Sequence, residues 1–222
     1  MTTDQTTDQT ADQTAGRTAA PGFTAAAAID PARTALLLMD FQPAVLAVVP
    51  DPEGLLARAG EALAWARAHG AQVVFVRVAL TEADAAAVPA RNKTFAQVAA
   101  AGYLADGSPA TVPHASLEIR KEDLSVRKFR FSAFASDTDL RAELRARGVD
   151  TLVLAGLSTS GVVLSTLREA ADADYRLFLL ADAVADPDPE VHRVLVEKVF
   201  PRQAEIVTTA DLDTLTSAVS TD

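Results

Sequence analysis

Apolar residues in this chain come in short unbroken runs, separated by longer stretches in which they recur every third or fourth position. The runs are Ala35-Leu36-Leu37-Leu38-Met39, Gln72 to Val78, Leu124 to Lys128, Thr151 to Ala155, Arg176 to Ala181 and Glu205-Ile206-Val207. A short continuous apolar run predicts a strand covered on both faces. Between the runs the spacing predicts helices. Pro52 to His69 is the clearest, with Asp51 as N-cap, Pro52 at the first position and Gly70 just past the end. Others are expected at 93–101, at 138–147, from near Ser160 to about Asp174, at 188–199 and at 210–219. The stretch 81–121 is less regular, and a connection of that length often covers a pocket.

Strands alternating with helices predict an α/β fold: three αβα layers around a mainly parallel, Rossmann-like six-stranded sheet. Such sheets bind ligands outside the carboxyl ends of their strands. Asp40, Lys128 and the turn Gly156-Leu157-Ser158-Thr159-Ser160-Gly161 all lie at or just past strand ends, so the topology alone can gather them on one rim.

Composition narrows the classes. Residues 1–22 carry an imperfect TTDQ repeat with almost no large apolar side chains, and they read as a disordered polar tail. Residues 23–222 then form a single domain. Hydrophobic residues make up 49% of the 222, enough for a sizeable core, and alanine supplies much of that share. The net charge of −10 argues against nucleic acid and against anionic membrane surfaces. No apolar run approaches the ~20 residues of a spanning helix, and no secretory signal opens the chain. A cytoplasmic location is expected by default. The absence of cysteine excludes disulfides and thiolate ligands. No His-x-His or His-Glu-x-x-His pattern occurs, so neither a metal nor another cofactor is expected.

The candidate chemistry lies at the strand ends. A carboxylate closing an apolar strand, as Asp40 does, is partly desolvated, which raises its pKa towards that of a useful general acid or base. The competing reading is an aspartate that caps loop amides. Lys128 ends an apolar strand too, and a lysine buried there needs a negative partner. Asp40 is the obvious one. The Gly156 turn resembles a serine nucleophile elbow only in part, because Ser160 stands where the second glycine belongs. A triad of Ser158, Asp182 and His192 is allowed in order and cramped in spacing. Of the other histidines, His69 suits a helix C-terminus and His114 falls in the irregular stretch.

Three segments taken together carry a resemblance to the isochorismatase-like hydrolases of the cysteine hydrolase superfamily. They are Leu36-Leu37-Leu38-Met39-Asp40-Phe41-Gln42, Val126-Arg127-Lys128-Phe129-Arg130-Phe131-Ser132-Ala133-Phe134, and Gly156-Leu157-Ser158-Thr159-Ser160-Gly161-Val162-Val163-Leu164-Ser165-Thr166. The likeness spans about residues 33–210. It implies Asp40 and Lys128 as catalytic residues and a cis peptide between Leu157 and Ser158. Around that bond, Leu157, Ser158, Thr159, Ser160 and Gly161 would form the oxyanion and pocket backbone. Gln42, Arg130 and Phe134 would contact substrate. The family's nucleophilic cysteine falls on Val162, and Gly156, Thr159, Val163 and Thr166 keep the register. The metal-binding Asp/His set of nicotinamidases has no counterpart after Val76-Arg77.

Members without the thiol, the isochorismatases proper and relatives in phenazine synthesis, hydrolyse a vinyl ether without a covalent enzyme intermediate. By that resemblance the chain is a hydrolase of a small molecule in which Asp40 acts as general acid, Lys128 as its electrostatic partner and water as the attacker. Burial raises the pKa of such an aspartate and a close lysine lowers it. Two alternatives stand beside it: amide or imide hydrolysis by water that Asp40 activates, and a non-catalytic binding homologue. The family also implies a homo-oligomer, a dimer or tetramer.

Overall fold

The computed structural model describes residues 28–135 and 138–217. The expected tail over 1–22 lies outside the described residues. Six strands, β1 (Thr34–Met39), β2 (Gln72–Val78), β3 (Leu124–Lys128), β4 (Thr151–Leu157), β5 (Arg176–Ala185) and β6 (Glu205–Val207), form one sheet in the order β3-β2-β1-β4-β5-β6. Every neighbouring pair is parallel. The chain builds outwards from β1 to β3, then returns to lay β4 on the other side of β1. The order therefore reverses between β1 and β4, where a parallel sheet opens a crevice at its carboxyl end.

The helices are α1 (Pro43–Leu46), α2 (Pro52–His69), α3 (Glu82–Ala87), α4 (Lys93–Ala101), α5 (Leu140–Ala146), α6 (Leu164–Ala171), α7 (Pro189–Val194) and α8 (Leu212–Ser217). Strand residues alternate between two cores. Leu36, Leu38, Val73, Phe75 and Val153 pack with Leu55, Leu63 and Trp65 of α2. Leu37, Met39, Val74, Val76 and Leu154 pack on the opposite face with Leu140 and Leu144 of α5 and Leu167 of α6. Unbroken apolar strands follow from burial on both faces. Helix α2 begins and ends as its sequence predicts, with the Asp51 carboxylate accepting from Gly54 N at 3.1 Å and Gly70 closing the helix at φ 76°.

Three expectations need correction. Strand β5 continues past Ala181 to Ala185, four residues beyond the run Arg176 to Ala181 expected from the sequence. The extension pairs Val184 with Gly156 and Ala185 with Leu157 after a register shift. Asp182 interrupts the apolar run without ending the strand because its carboxylate accepts from Thr209 N at 3.0 Å and Thr209 Oγ1 at 2.7 Å. The helix expected from Ser160 is a π-helical turn over Thr159–Val163 followed by α6. The helix expected at 188–199 is likewise α7 followed by a π-helical turn over Leu195–Val199.

The irregular stretch 81–121 is tied down on the sheet. Arg77 pairs with Asp106 at 2.8 Å and Arg127 with Asp84 at 2.6 Å. Leu80 N donates to Leu104 O at 2.8 Å, and His114 N donates to Phe41 O at 2.8 Å. A third apolar cluster of Val78, Leu80, Phe95, Val98 and Leu104 fills the space beneath it.

Candidate active site

The crevice between β1 and β4 opens into a cavity of about 450 Å³, within the range of small-molecule sites. Asp40 follows the last residue of β1 and adopts φ 60°, a left-handed turn that aspartate tolerates better than most residues. Lys128 is the last residue of β3, two strands away across β2. Its Nζ donates to Asp40 Oδ2 at 2.7 Å and to the Arg130 carbonyl at 3.2 Å. The two side chains are 1% and 6% exposed. Asp40 Oδ1 is buried and has no hydrogen-bond partner among the described residues, although the Val78 backbone N–H also favours the charged carboxylate. Burial pushes the Asp40 carboxyl above its ordinary range, against the opposing pull of the Lys128 ammonium.

The turn after β4 forms the opposite wall. The Leu157–Ser158 peptide is cis. Leu157, Ser158, Gly161 and Val162 line the cavity, and Val162 is buried. Thr159 and Ser160 are not among the lining residues. Thr159 is buried, with Oγ1 2.9 Å from His192 Nδ1, and Ser160 N donates to Asp186 Oδ2 at 2.7 Å. These bonds anchor the turn from behind. Desolvation lowers the pKa of His192, and Asp186 partly counters it. Gly156 fits here because a Cβ would lie 2.9 Å from the Met39 carbonyl oxygen, so β1 and β4 approach too closely for a side chain.

Of the substrate-contacting residues expected from the sequence, Arg130 lines the cavity. Its guanidinium lies over Phe129 at 4.6 Å and Phe95 at 5.2 Å, and Nη1 donates to the Phe129 carbonyl at 2.7 Å. Gln42 sits behind the wall. Its Nε2 donates to Val78 O at 2.9 Å and Thr111 O at 2.7 Å, and its Oε1 accepts from Val78 N at 2.8 Å. That amide latches the covering stretch to the sheet. Phe134 stacks on Tyr175 at 5.8 Å and is not among the lining residues. The Ser158–Asp182–His192 triad is not assembled, since His192 meets Thr159 and Asp182 meets Thr209. Sequence reasoning missed Asp186 and the role of His192. The available signal was an acid and a histidine just beyond the last long strand, and it was read as an ordinary loop and helix start. Among the described residues no group of three or more His, Cys, Asp or Glu could hold a metal.

A parallel three-layer α/β sheet with a buried acid–lysine pair at its switch point, facing a tight turn after the neighbouring strand, is an arrangement suited to a hydrolase. The isochorismatase domain matches residues 34–211, and the chain belongs to the isochorismatase family of hydrolases. It is 32% identical over 187 residues to the probable isochorismatase of Pseudomonas chlororaphis, covering 83% of this chain and 86% of that one. It is 33% identical over 198 residues to the ureidoacrylate amidohydrolase RutB of Methylobacterium radiotolerans, covering 78% and 75%. Among solved structures, the cysteine hydrolase of Pseudomonas syringae pv. phaseolicola 1448A superposes with a TM-score of 0.77 at 25% identity, covering 86% of this chain and 95% of that one.

Proposed function

We propose that this hydrolase cleaves a vinyl ether, with Asp40 as general acid and water as the attacker. The observation that supports the reading is the buried Asp40 carboxylate, which lines the cavity and whose Oδ1 has no hydrogen-bond partner among the described residues, together with Val162 on the same lining at the position to which the resemblance assigns a thiol. Burial disfavours the charged carboxylate, so a substrate carboxylate that gives Lys128 a second counter-charge favours proton uptake by Asp40. That proton is delivered to the terminal CH₂ of an enol ether, converting it to CH₃ and leaving an oxocarbenium ion. Water adds to the cationic carbon and returns one proton to Asp40. The resulting hemiketal then collapses to a keto acid and the free alcohol. No covalent enzyme intermediate forms, so valine is an acceptable neighbour.

Lys128 holds Asp40 in place through Oδ2, leaving Oδ1 for the reaction. An anionic substrate supplies a second counter-charge to the lysine and thereby favours the protonated acid. The similarity to an amidohydrolase favours one other reading, in which ionised Asp40 activates water against an amide carbonyl. Product analysis separates them: a keto acid from enol ethers, ammonia or an amine from small amides. Asp40→Asn keeps the shape and removes the transferable proton. It should lower enol-ether turnover by at least about 100-fold. Turnover within a factor of a few of the parent would discard Asp40 as the acid.

A further inference from the structure

The cavity is lopsided in charge. Among its described lining residues only Asp40, Lys128 and Arg130 carry charge, and all three lie at or just past the carboxyl ends of β1 and β3. Lys128 is already committed to Asp40 and to the Arg130 carbonyl. The rest of the lining is mostly apolar, with Val45, Val48, Val49, Val98, Leu104 and Phe95, and the hydroxyls of Thr94, Tyr103 and Ser158 are its neutral side-chain donors. Val48, Tyr103 and Phe131 line the cavity and are 61%, 53% and 44% exposed. Side chains of this kind, solvated in the free protein and grouped at one opening, mark a surface that an apolar ligand covers.

The chemistry fixes which part of a substrate meets which wall. An enol-ether carboxylate is attached to the carbon next to the CH₂ that Asp40 protonates, so it must sit at the Lys128–Arg130 end. The alcohol part then extends along the valines. A second carboxylate on that part would meet at most the neutral hydroxyls of Thr94, Tyr103 or Ser158 and no further cation among the described lining residues, and an anion moved from water to such surroundings is disfavoured. We infer that the substrate is a monocarboxylate whose leaving alcohol has an uncharged, apolar body, rather than a dicarboxylate. This rests on the vinyl-ether reading for its orientation and on the lining residues for its charge.

The test uses an isosteric pair, 2-(3-nitrophenoxy)acrylate and 2-(3-carboxyphenoxy)acrylate, each giving pyruvate and a phenol on hydrolysis. The monoanion should have the higher kcat/KM, by about tenfold or more. Their saturated counterparts, 2-(3-nitrophenoxy)propanoate and 2-(3-carboxyphenoxy)propanoate, titrated calorimetrically, should show the same preference without any reaction. Equal or tighter binding of the dianion overturns the inference, even when both acrylates are hydrolysed and the vinyl-ether reading stands. Pyruvate from neither acrylate, with the binding preference intact, removes the vinyl-ether reading and supports the charge assignment of the cavity. Val48→Lys places a cation at the exposed rim and should shift the ratio towards the dianion by about tenfold. An unchanged ratio would also count against the assignment.

Discussion

Removing the Lys128 charge is the most informative perturbation of this protein. In Lys128→Met the side-chain length is nearly kept, and the packing around a group that is 1% exposed is little disturbed. Asp40 Oδ2 loses its 2.7 Å partner, while Oδ1 already has none among the described residues. The carboxyl then escapes the cost of an unpaired buried charge by taking up a proton. Taking an unfolded-state pKa of about 3.9, protonation costs about 4 kcal/mol at pH 7 and about 1.5 kcal/mol at pH 5. The loss at pH 7 falls within the range of about 3–5 kcal/mol seen when one partner of a buried pair is removed.

The sign is specific. Burial already raises the folded-state pKa of Asp40, and losing the ammonium raises it further. The folded protein thus binds the proton more tightly than the unfolded chain. Its stability is fully present below the unfolded pKa and is lost as pH rises towards the folded one. Urea unfolding at pH 5 and pH 7 should show Lys128→Met losing stability with rising pH by up to about 1.4 kcal/mol per unit relative to Asp40→Leu/Lys128→Met, which has no carboxyl there to titrate. The same pH dependence in both variants would refute the titration of Asp40. A penalty under about 1 kcal/mol at pH 7 would refute the buried pair itself. The double variant Asp40→Leu/Lys128→Met should be more stable than Lys128→Met alone, because no charge remains to be buried.

Three other outcomes follow from the same geometry. Gln42→Leu leaves Val78 N, Val78 O and Thr111 O without their amide partners and should cost about 3 kcal/mol of unfolding free energy, measured by thermal or urea denaturation. A cost near zero would mean that the latch is replaced by water. Val162→Cys puts a thiol in the cavity that Asp40 also lines, at the position to which the resemblance assigns the nucleophile, and it should react faster with thiol reagents and activated esters than a cysteine placed on the surface. An inert thiol there would sink the alignment of the Gly156 turn. Binding of a non-hydrolysable monocarboxylate at neutral pH should take up protons, approaching about one per site, as the anion favours protonated Asp40. Calorimetry in two buffers of different ionisation enthalpy reads this directly, and proton release would contradict it.

Much of this protein was legible in one dimension. Apolar runs such as Ala35 to Met39 and Thr151 to Ala155 announce strands buried on both faces, and the caps Asp51 and Gly70 delimit α2, because burial and capping act over a few neighbouring residues. The stretch containing Lys93–Ala101 was placed correctly as a cover for the pocket because its irregularity and length are themselves sequence properties. Contacts between distant segments were not legible. Asp40 and Lys128 are 88 positions apart, and the 2.7 Å bond between them depends on β1, β2 and β3 being laid side by side. Gln42 looks like a pocket residue by its place after Asp40, yet its amide is consumed by Val78 and Thr111. Asp182 looks like the end of a strand until Thr209 is found to satisfy it. His192 gains its meaning only from Thr159, which a helix start had hidden.

The sequence by itself determined the strands, most of the helices and the family, since these rest on local periodicity and on motifs read in order. The tertiary structure alone decided that one carboxylate oxygen is held by lysine while the other has no partner among the described residues, and that Asp40, Lys128 and Arg130 are the charged side chains of a mostly apolar lining. Those properties belong to the dielectric and the neighbours that folding brings together, and no stretch of adjacent residues encodes them.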